Sequence, residues 1–272
     1  MTTTTSPRTL PADAPRVIST AGADPIAGRF AGRSILVTGA ASGIGLATTQ
    51  RLLAEGARVI AADRTADALA ELAAASDPEC LVTVTCDVTS EDDVQAAVRA
   101  CEGRLDGLVN NAGIMDGFEP IAEVTDAAFA RVMDINVGGT VRMTRAAMPL
   151  LLDGGGSIVN LGSMAALGGA AGGAAYTASK HAVIGLTRST AVMYAADDVR
   201  CNAIAPGAVI TAIEKNVASA RGAQVIGPLM GARMPSLASA EALAACICFL
   251  LSDDAAFVTG ATLAADGSWS AQ

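Results

Sequence analysis

Aromatic side chains are scarce in this chain: five Phe, two Tyr and one Trp make up 3% of its 272 residues. Its core must therefore be filled by Ala, Val, Leu and Ile, and a tyrosine outside an apolar run needs a reason. Histidine is scarcer still. His181 is the only one, which excludes a His-rich metal site, and no zincin motif is present, so no metal is expected. None of the six cysteines (Cys80, Cys86, Cys101, Cys201, Cys246, Cys248) forms a CxxC pair. They read as small buried hydrophobes in a reducing compartment, and the expected location is the cytoplasm. Basic residues are outnumbered, 18 Lys and Arg against 27 Asp and Glu, for a net charge of -9. That balance argues against a nucleic-acid partner or an anionic membrane surface. No apolar run approaches the ~18 residues a membrane span needs. The first 28 residues also lack the apolar segment of a secretory signal. They are expected to form a disordered tail ahead of a single domain over residues 29–272.

What is present is an alternation. Short apolar runs such as "RSILVTG", "ARVIAAD", "CLVTVTCDV" and "GSIVNLGS" are each followed by a stretch with helical spacing. Near-continuous apolar strands alternating with helices predict a parallel sheet covered on both faces, an α/β doubly wound fold. One long helix is expected from about Thr125 to Leu152. A variable stretch over residues 213–237 reads as a lid.

The turn between the first such strand and the first helix is "TGAASGIG", Thr38 to Gly45. Gly39, Gly43 and Gly45 allow a tight turn and close approach of backbone to a pyrophosphate, which the helix N-terminus favours electrostatically. Its place after a strand and before a helix is what gives this pattern weight. Eighteen residues past Gly45, at the end of the second strand, comes Asp63, where a dinucleotide fold puts the acid that bonds the adenosine ribose. A 2′-phosphate would meet that carboxylate as a like charge, whereas Arg64 could pair with the phosphate. Asp63 is the closer of the two, and Ala40, Ala41 and Ser42 add no basic residue, so NAD(H) is the expected cofactor.

Farther along, "GGAAGGAAYTASKHAVIG" carries Tyr176 and Lys180 one helical turn apart. Such a pair is either an ordinary surface neighbour or a proton-transfer pair. His181 follows directly and faces another way.

The spacing T-G-x-x-x-G-x-G, with "NNAG" (Asn110 to Gly113), "NVGG" at Asn136, Ser163, "YTASK" and "PGAVIT" (Pro206 to Thr211), resembles the short-chain dehydrogenase/reductase family, in order and at family spacing. The resemblance covers roughly Gly32 to Trp269. It implies a single Rossmann-type domain with a seven-stranded parallel sheet, a bound nicotinamide dinucleotide and a homotetramer. It also implies that Asn136, Ser163, Tyr176 and Lys180 are catalytic. Cofactor contacts are implied for the loop residues Ser42 and Ile44 and for Asp87 and Val88 near the adenine. They extend to Asn111, Ala112 and Gly113 beside the ribose, and to Pro206, Gly207, Val209 and Thr211 around the carboxamide. The C-terminal "ADGSWS" departs from the commoner V-D-G-G; the departure is expected to bear on subunit contact and not on the chemistry.

The chemistry expected on this basis is interconversion of a secondary alcohol and a ketone. A free tyrosine is a poor base near neutrality, and the Lys180 ammonium would favour its phenolate. Ser163 can donate a hydrogen bond to the carbonyl oxygen. A serine hydrolase is excluded, because no G-x-S-x-G elbow surrounds Ser163. Ile114, Met115, Met164, Leu167, Ile210 and Met230 are the expected pocket walls beside Ser163 and Tyr176, and their apolar character suits a neutral, hydrophobic substrate. A 3-oxoacyl-thioester reductase using NADPH is the alternative, with Lys215, Arg221 and Arg233 as cations at the pocket mouth. A non-catalytic dinucleotide sensor is the alternative of another class.

Overall fold

The computed structural model describes residues 24–211, 217–234 and 236–271, and the backbone of residues 16–18. In chain order the elements begin with β1 (Arg16–Ile18), β2 (Ser34–Thr38), α1 (Gly43–Ala54), β3 (Arg58–Asp63) and α2 (Ala66–Ala74). There follow β4 (Leu81–Thr85), α3 (Glu91–Arg99), β5 (Gly107–Asn110), α4 (Asp126–Met133) and α5 (Gly139–Leu151). The second half holds β6 (Gly156–Leu161), α6 (Ala174–Met193), β7 (Val199–Pro206), α7 (Ala220–Arg233), β8 (Ser236–Ala238), α8 (Ala240–Leu251) and β9 (Thr262–Ala265).

Seven strands form one sheet in the order β4-β3-β2-β5-β6-β7-β9. Every pairing in it is parallel. Alternation along the strands sends residues to opposite faces. Ile35 and Val37 of β2 join Leu52 of α1 and Leu243 and Ile247 of α8 in one core. Leu36 between them joins Val94 of α3 and Met143 and Leu151 of α5 in the other. Both faces are thus buried, which is why the strands read as unbroken apolar runs. Ser90 caps α3 by accepting the Asp93 N–H at 3.3 Å, with acids in the first turn. Chain order reverses between β2 and β5, so the loops after these strands diverge and leave a crevice at their carboxyl ends.

The structure departs from the sequence expectations in two places. The expected helix over 125–152 is interrupted by a five-residue π turn, Asp134–Gly138, between α4 and α5. The expected disordered tail over 1–28 does not extend to Arg16–Ile18, which pair in parallel with Ser236–Ala238. Nor does it extend to residue 26, whose N–H donates to Glu55 Oε1 at 3.2 Å. Residues 1–15 and 19–23 of that stretch, and Ile213 and Lys215 of the expected lid, lie outside the described residues. Among the described residues no helix is long and apolar enough to cross a membrane, and no cluster of acids, His and Cys could hold a metal.

Candidate active site

The loop after β2 is shaped by its glycines. Gly39 and Gly43 have φ of +62° and +51°, a region that favours residues without a Cβ. Gly45 has another constraint: a Cβ there would overlap the Gly39 carbonyl oxygen and lie 2.5 Å from Asn111 Nδ2. Asn111 holds this close approach together, donating from Nδ2 to the Thr38 and Gly39 carbonyls at 2.9 and 3.0 Å. Thr38 Oγ1 in turn accepts the N–H groups of Asn111 and Ala112. The loops after β2 and β5 are therefore one bonded unit. The N-terminus of α1 opens beside it, where the first helical N–H groups have no intrahelical acceptor.

One cavity lies on the β3 side of this unit, lined by Gly39, Asp63, Arg64, Asp87, Val88 and Ala112 among others. Asp63 is only 8% exposed. Its Oδ2 accepts the Ala41 N–H and its Oδ1 the Thr65 N–H, both at 3.0 Å, which aims the carboxylate at the cavity. Asp87 is held below the usual carboxylate range by side-chain and backbone hydrogen bonds from Thr89, so it stays ionised near neutrality.

A second cavity, about 150 Å³, lies on the other side of Gly113, which lines both. Tyr176 and Lys180 enter it from α6, Ser163 from the end of β6, and Pro206, Gly207, Val209 and Thr211 from the end of β7. Lys180 Nζ donates to the Leu161 carbonyl at 2.8 Å and lies 5.6 Å from the centre of the Tyr176 ring. Burial pushes the Lys180 ammonium down to about 8. Burial also raises the Tyr176 hydroxyl above its usual value; a hydrogen bond with Ser163 opposes that shift, and the Asp116 carboxylate adds to it. Among the described residues the lysine and tyrosine are the only ionisable groups that line this cavity.

A family model described as enoyl-(acyl carrier protein) reductase matches residues 39–270. 3beta-Hydroxysteroid dehydrogenase 2 of Eggerthella lenta is 43% identical over 254 residues, 89% of this chain and 96% of that one. Levodione reductase of Leifsonia aquatica is 39% identical over 259 residues, with 89% and 96% covered. A crystal structure of levodione reductase superposes with a TM-score of 0.81 at 35% identity, covering 89% of this chain and 99% of that one. The chain belongs to the short-chain dehydrogenase/reductase family. Within that family its chemistry is that of a secondary-alcohol/ketone oxidoreductase.

Set against the residues that the family resemblance implies, Ser163, Tyr176 and Lys180 come together in the second cavity, with Met115, Met164 and Met230 as apolar walls. Ile44, Asn111 and Gly113 border it as well. Asn136 does not line it. Its side chain is 1% exposed and bonds the Ile114 backbone from both ends, Oδ1 accepting the N–H at 2.8 Å and Nδ2 donating to the carbonyl at 2.9 Å. A further bond to Ser179 Oγ at 3.0 Å ties it to α6. Gly43 packs beneath Thr211, whose atoms a Cβ on the glycine would meet at 3.2 Å. Ser42 is exposed at the start of α1.

Three expected pocket walls lie elsewhere. Ile114 turns into the first cavity, and Leu167 and Ile210 are 42% and 55% exposed. Leu167 follows a short 3-10 turn that carries Met164 inward and leaves it outside. Arg221 lines a separate outer hollow with Phe118 and Val225, not the cavity that holds Tyr176. His181 is exposed and bonded to the Thr177 carbonyl.

Sequence reasoning missed Trp269. It is buried and lines the cavity that holds Tyr176 and Ser163, so the departure at "ADGSWS" reaches that cavity. The cause is Asp266, whose carboxylate accepts the Ser268 and Ser270 N–H groups and curls the chain end back over Gly207. The single Trp in an aromatic-poor chain was the available signal.

Proposed function

We propose that this chain interconverts a neutral, apolar secondary alcohol and its ketone using NAD(H), with Tyr176 carrying the proton. The observation that supports this most directly is the meeting of Tyr176, Ser163 and Lys180 in a single, otherwise uncharged cavity at the carboxyl ends of β6 and β7.

The two cavities joined at Gly113, and a glycine loop that admits no Cβ at Gly45, fit an extended dinucleotide. The N–H groups at the start of α1, at Gly43, Ile44 and Gly45, would hold its pyrophosphate. Asp63 would take the adenosine ribose, with Asp87 and Val88 beside the base. Lys180 would take the other ribose, and Pro206, Gly207, Val209 and Thr211 the carboxamide. Once bound, the cofactor supplies the hydride acceptor or donor.

The remaining work falls to side chains of this chain. Ser163 donates a hydrogen bond to the substrate oxygen and stabilises charge as it develops there. In ketone reduction Tyr176 gives its hydroxyl proton to that oxygen; in alcohol oxidation its phenolate takes the proton back. The Lys180 ammonium lowers the cost of that phenolate. Asn136 holds the Ile114 backbone, and through it the Met115 wall.

Preference for NAD(H) rests on charge at the ribose end. Asp63 and Asp87 line that cavity against the single Arg64, so a 2′-phosphate would meet a net negative surface. The uncharged walls of the catalytic cavity support a neutral substrate, and hydroxysteroid and levodione in the names of two relatives are compounds of that kind. Of the cations the acyl-thioester alternative calls on, Arg221 lines the outer hollow, while Lys215 and the Arg233 side chain lie outside the described residues; among the described residues Lys180 is the one cation lining that cavity. A homotetramer belongs to the same reading: Val192, Met193 and Phe257 are exposed apolar residues that subunit contacts would cover. So does a reducing, cytoplasmic setting, which the six free cysteines suit.

Steady-state kinetics over cyclic ketones, aryl ketones and acyl thioesters, with each cofactor, test the proposal. NADH should give the higher kcat/KM on a neutral ketone, and Asp63→Ala should narrow or reverse the gap as Arg64 is left unopposed. Equal use of both cofactors by the parent would remove Asp63 as the selector, and absence of turnover on every ketone would remove the activity.

A further inference from the structure

The geometry points to Asp116 as a positioning residue: its carboxylate locks the first turn of α6, and so Tyr176, to the loop carrying the Met115 wall, and sets a negative charge behind the tyrosine. Asp116 belongs to the loop after β5. Its Oδ1 accepts the Phe118 N–H at 3.1 Å and the Gly173 N–H at 2.9 Å, and its Oδ2 accepts the Tyr176 N–H at 2.8 Å. Helices begin with N–H groups that have no intrahelical partner, and the residue at the N-cap usually satisfies one of them with its own side chain. The N-cap of α6 is Gly173, which has none. A side chain there would force its neighbours to shift, because a Cβ would stand 2.6 Å from Asp116 Oδ2 and 2.7 Å from the Glu119 backbone nitrogen. Asp116 therefore caps the catalytic helix from 57 residues away. The same loop takes the Ala174 N–H on the Glu119 carbonyl at 2.9 Å, and Glu119 Oε2 accepts the Gly117 N–H, which stiffens the loop itself.

The charge has its own meaning. Asp116 is 8% exposed, and among the described residues no salt bridge reaches it. A buried carboxylate without a cation is costly, and the positive end of α6 is what offsets it here. The neutral amide of Asn accepts at one oxygen only and would set its NH2 against a backbone N–H that the carboxylate now holds. Among the described residues the charges facing the phenol are Lys180 from α6 and Asp116 from the β5 loop; Ser163 from the end of β6 is neutral, and Glu119 is the next acid in the loop. Asp116 adds its charge to burial in disfavouring the phenolate. Its removal shifts the tyrosine toward ionisation at lower pH.

This inference rests on Tyr176 as the proton carrier, so Tyr176→Phe accompanies the test. Alcohol oxidation is followed as kcat against pH for the parent, Asp116→Asn and Gly173→Ala, with NADH affinity measured separately by fluorescence. Asp116→Asn is expected to lose kcat by ~10-fold or more, since small misplacements of reacting groups are expensive. Its NADH affinity should stay close to the parent's. The midpoint of its rising pH limb should move down by on the order of 0.5 unit as the opposing charge disappears. Gly173→Ala crowds the carboxylate but keeps its charge, so it should lose kcat with an unmoved midpoint. A parent-like midpoint or a parent-like kcat in Asp116→Asn overturns the inference. If Asp116→Asn does not fold, Asp116→Glu takes its place: reduced kcat at the parent's midpoint supports the role, and unchanged kcat overturns it. Parent-like turnover by Tyr176→Phe instead overturns the proton-carrier reading, whatever Asp116 does.

Discussion

Burial penalises charge on both members of the Tyr176–Lys180 pair, raising the tyrosine and bringing the lysine down to about 8. Replacing Tyr176 by Phe removes the hydroxyl and keeps the ring in the cavity wall. Turnover should then fall by ~10²–10⁴, with NADH still bound, as single-turnover and fluorescence measurements would register. The lysine gives a pH prediction. Its ammonium is present below about 8 and lost above it. If that charge helps hold the cofactor ribose, NADH affinity weakens as pH rises through this value, and Lys180→Met removes the step. Titrations from about pH 6.5 to about 9.5 span the change, and an identical step in Lys180→Met would assign it to another group. At this scale the sequence was most legible, because Tyr176 and Lys180 lie within one turn of one helix and need no folding to be paired. Asp116 was illegible. Its partners, Gly173 and Tyr176, are backbone groups far along the chain, and backbone groups leave no signature in a sequence.

Elements differ in how far local sequence decides them. The glycine loop is decided locally by three glycines, yet the reason Gly45 must be glycine is the Gly39 carbonyl and the Asn111 side chain. Gly45→Ala should therefore separate the loops after β2 and β5. Expected outcomes are loss of NADH binding and a stability loss of ~1–3 kcal/mol from overpacking, read by fluorescence titration and urea unfolding; retained NADH affinity would contradict the close-packed loop. The helix over 125–152 shows the opposite case. Its apolar spacing predicts one continuous element, but the structure widens it to a π turn at Asp134–Gly138. Asn136 lies in that turn and bonds Ile114, and Gly139 presses against Val88, where a Cβ would stand 2.6 Å from Cγ2. Tertiary bonds reshape the helix here, at the place where it meets the active-site loops, a common setting for π turns.

At the scale of the whole molecule, a buried carboxylate fastens the chain before β2 to the body of the domain. Glu55, at the end of α1, is fully buried between Arg29 at 3.2 Å and Arg51 at 2.9 Å, and it also accepts the Ile26 N–H. Removing it takes the anion from between two largely buried guanidinium groups. Glu55→Ala should cost about 3 kcal/mol, which for a chain this long lowers Tm by ~6–12 °C. Calorimetry checks this, and a shift of less than a degree would show that the pair contributes nothing net. Glu55 ends α1, the length of the helix (about 18 Å) from the glycine loop at its start, so kcat should change little.

The sequence by itself determined the parallel doubly wound sheet, the glycine loop, the acid ending β3 and the Tyr–Lys pair. Each is written locally, as short apolar runs alternating with stretches of period 3.6 or as residues a fixed step apart, and such local pattern survives without knowledge of the fold. Only the tertiary structure decided that Trp269 enters the cavity of Tyr176 while Leu167 and Ile210 stay outside, and that Asn136 binds backbone. It alone brought Asp116 to the head of α6. These depend on contacts between segments tens of residues apart. A side chain's hydrophobicity states that it prefers burial and leaves open which of several cavities will take it.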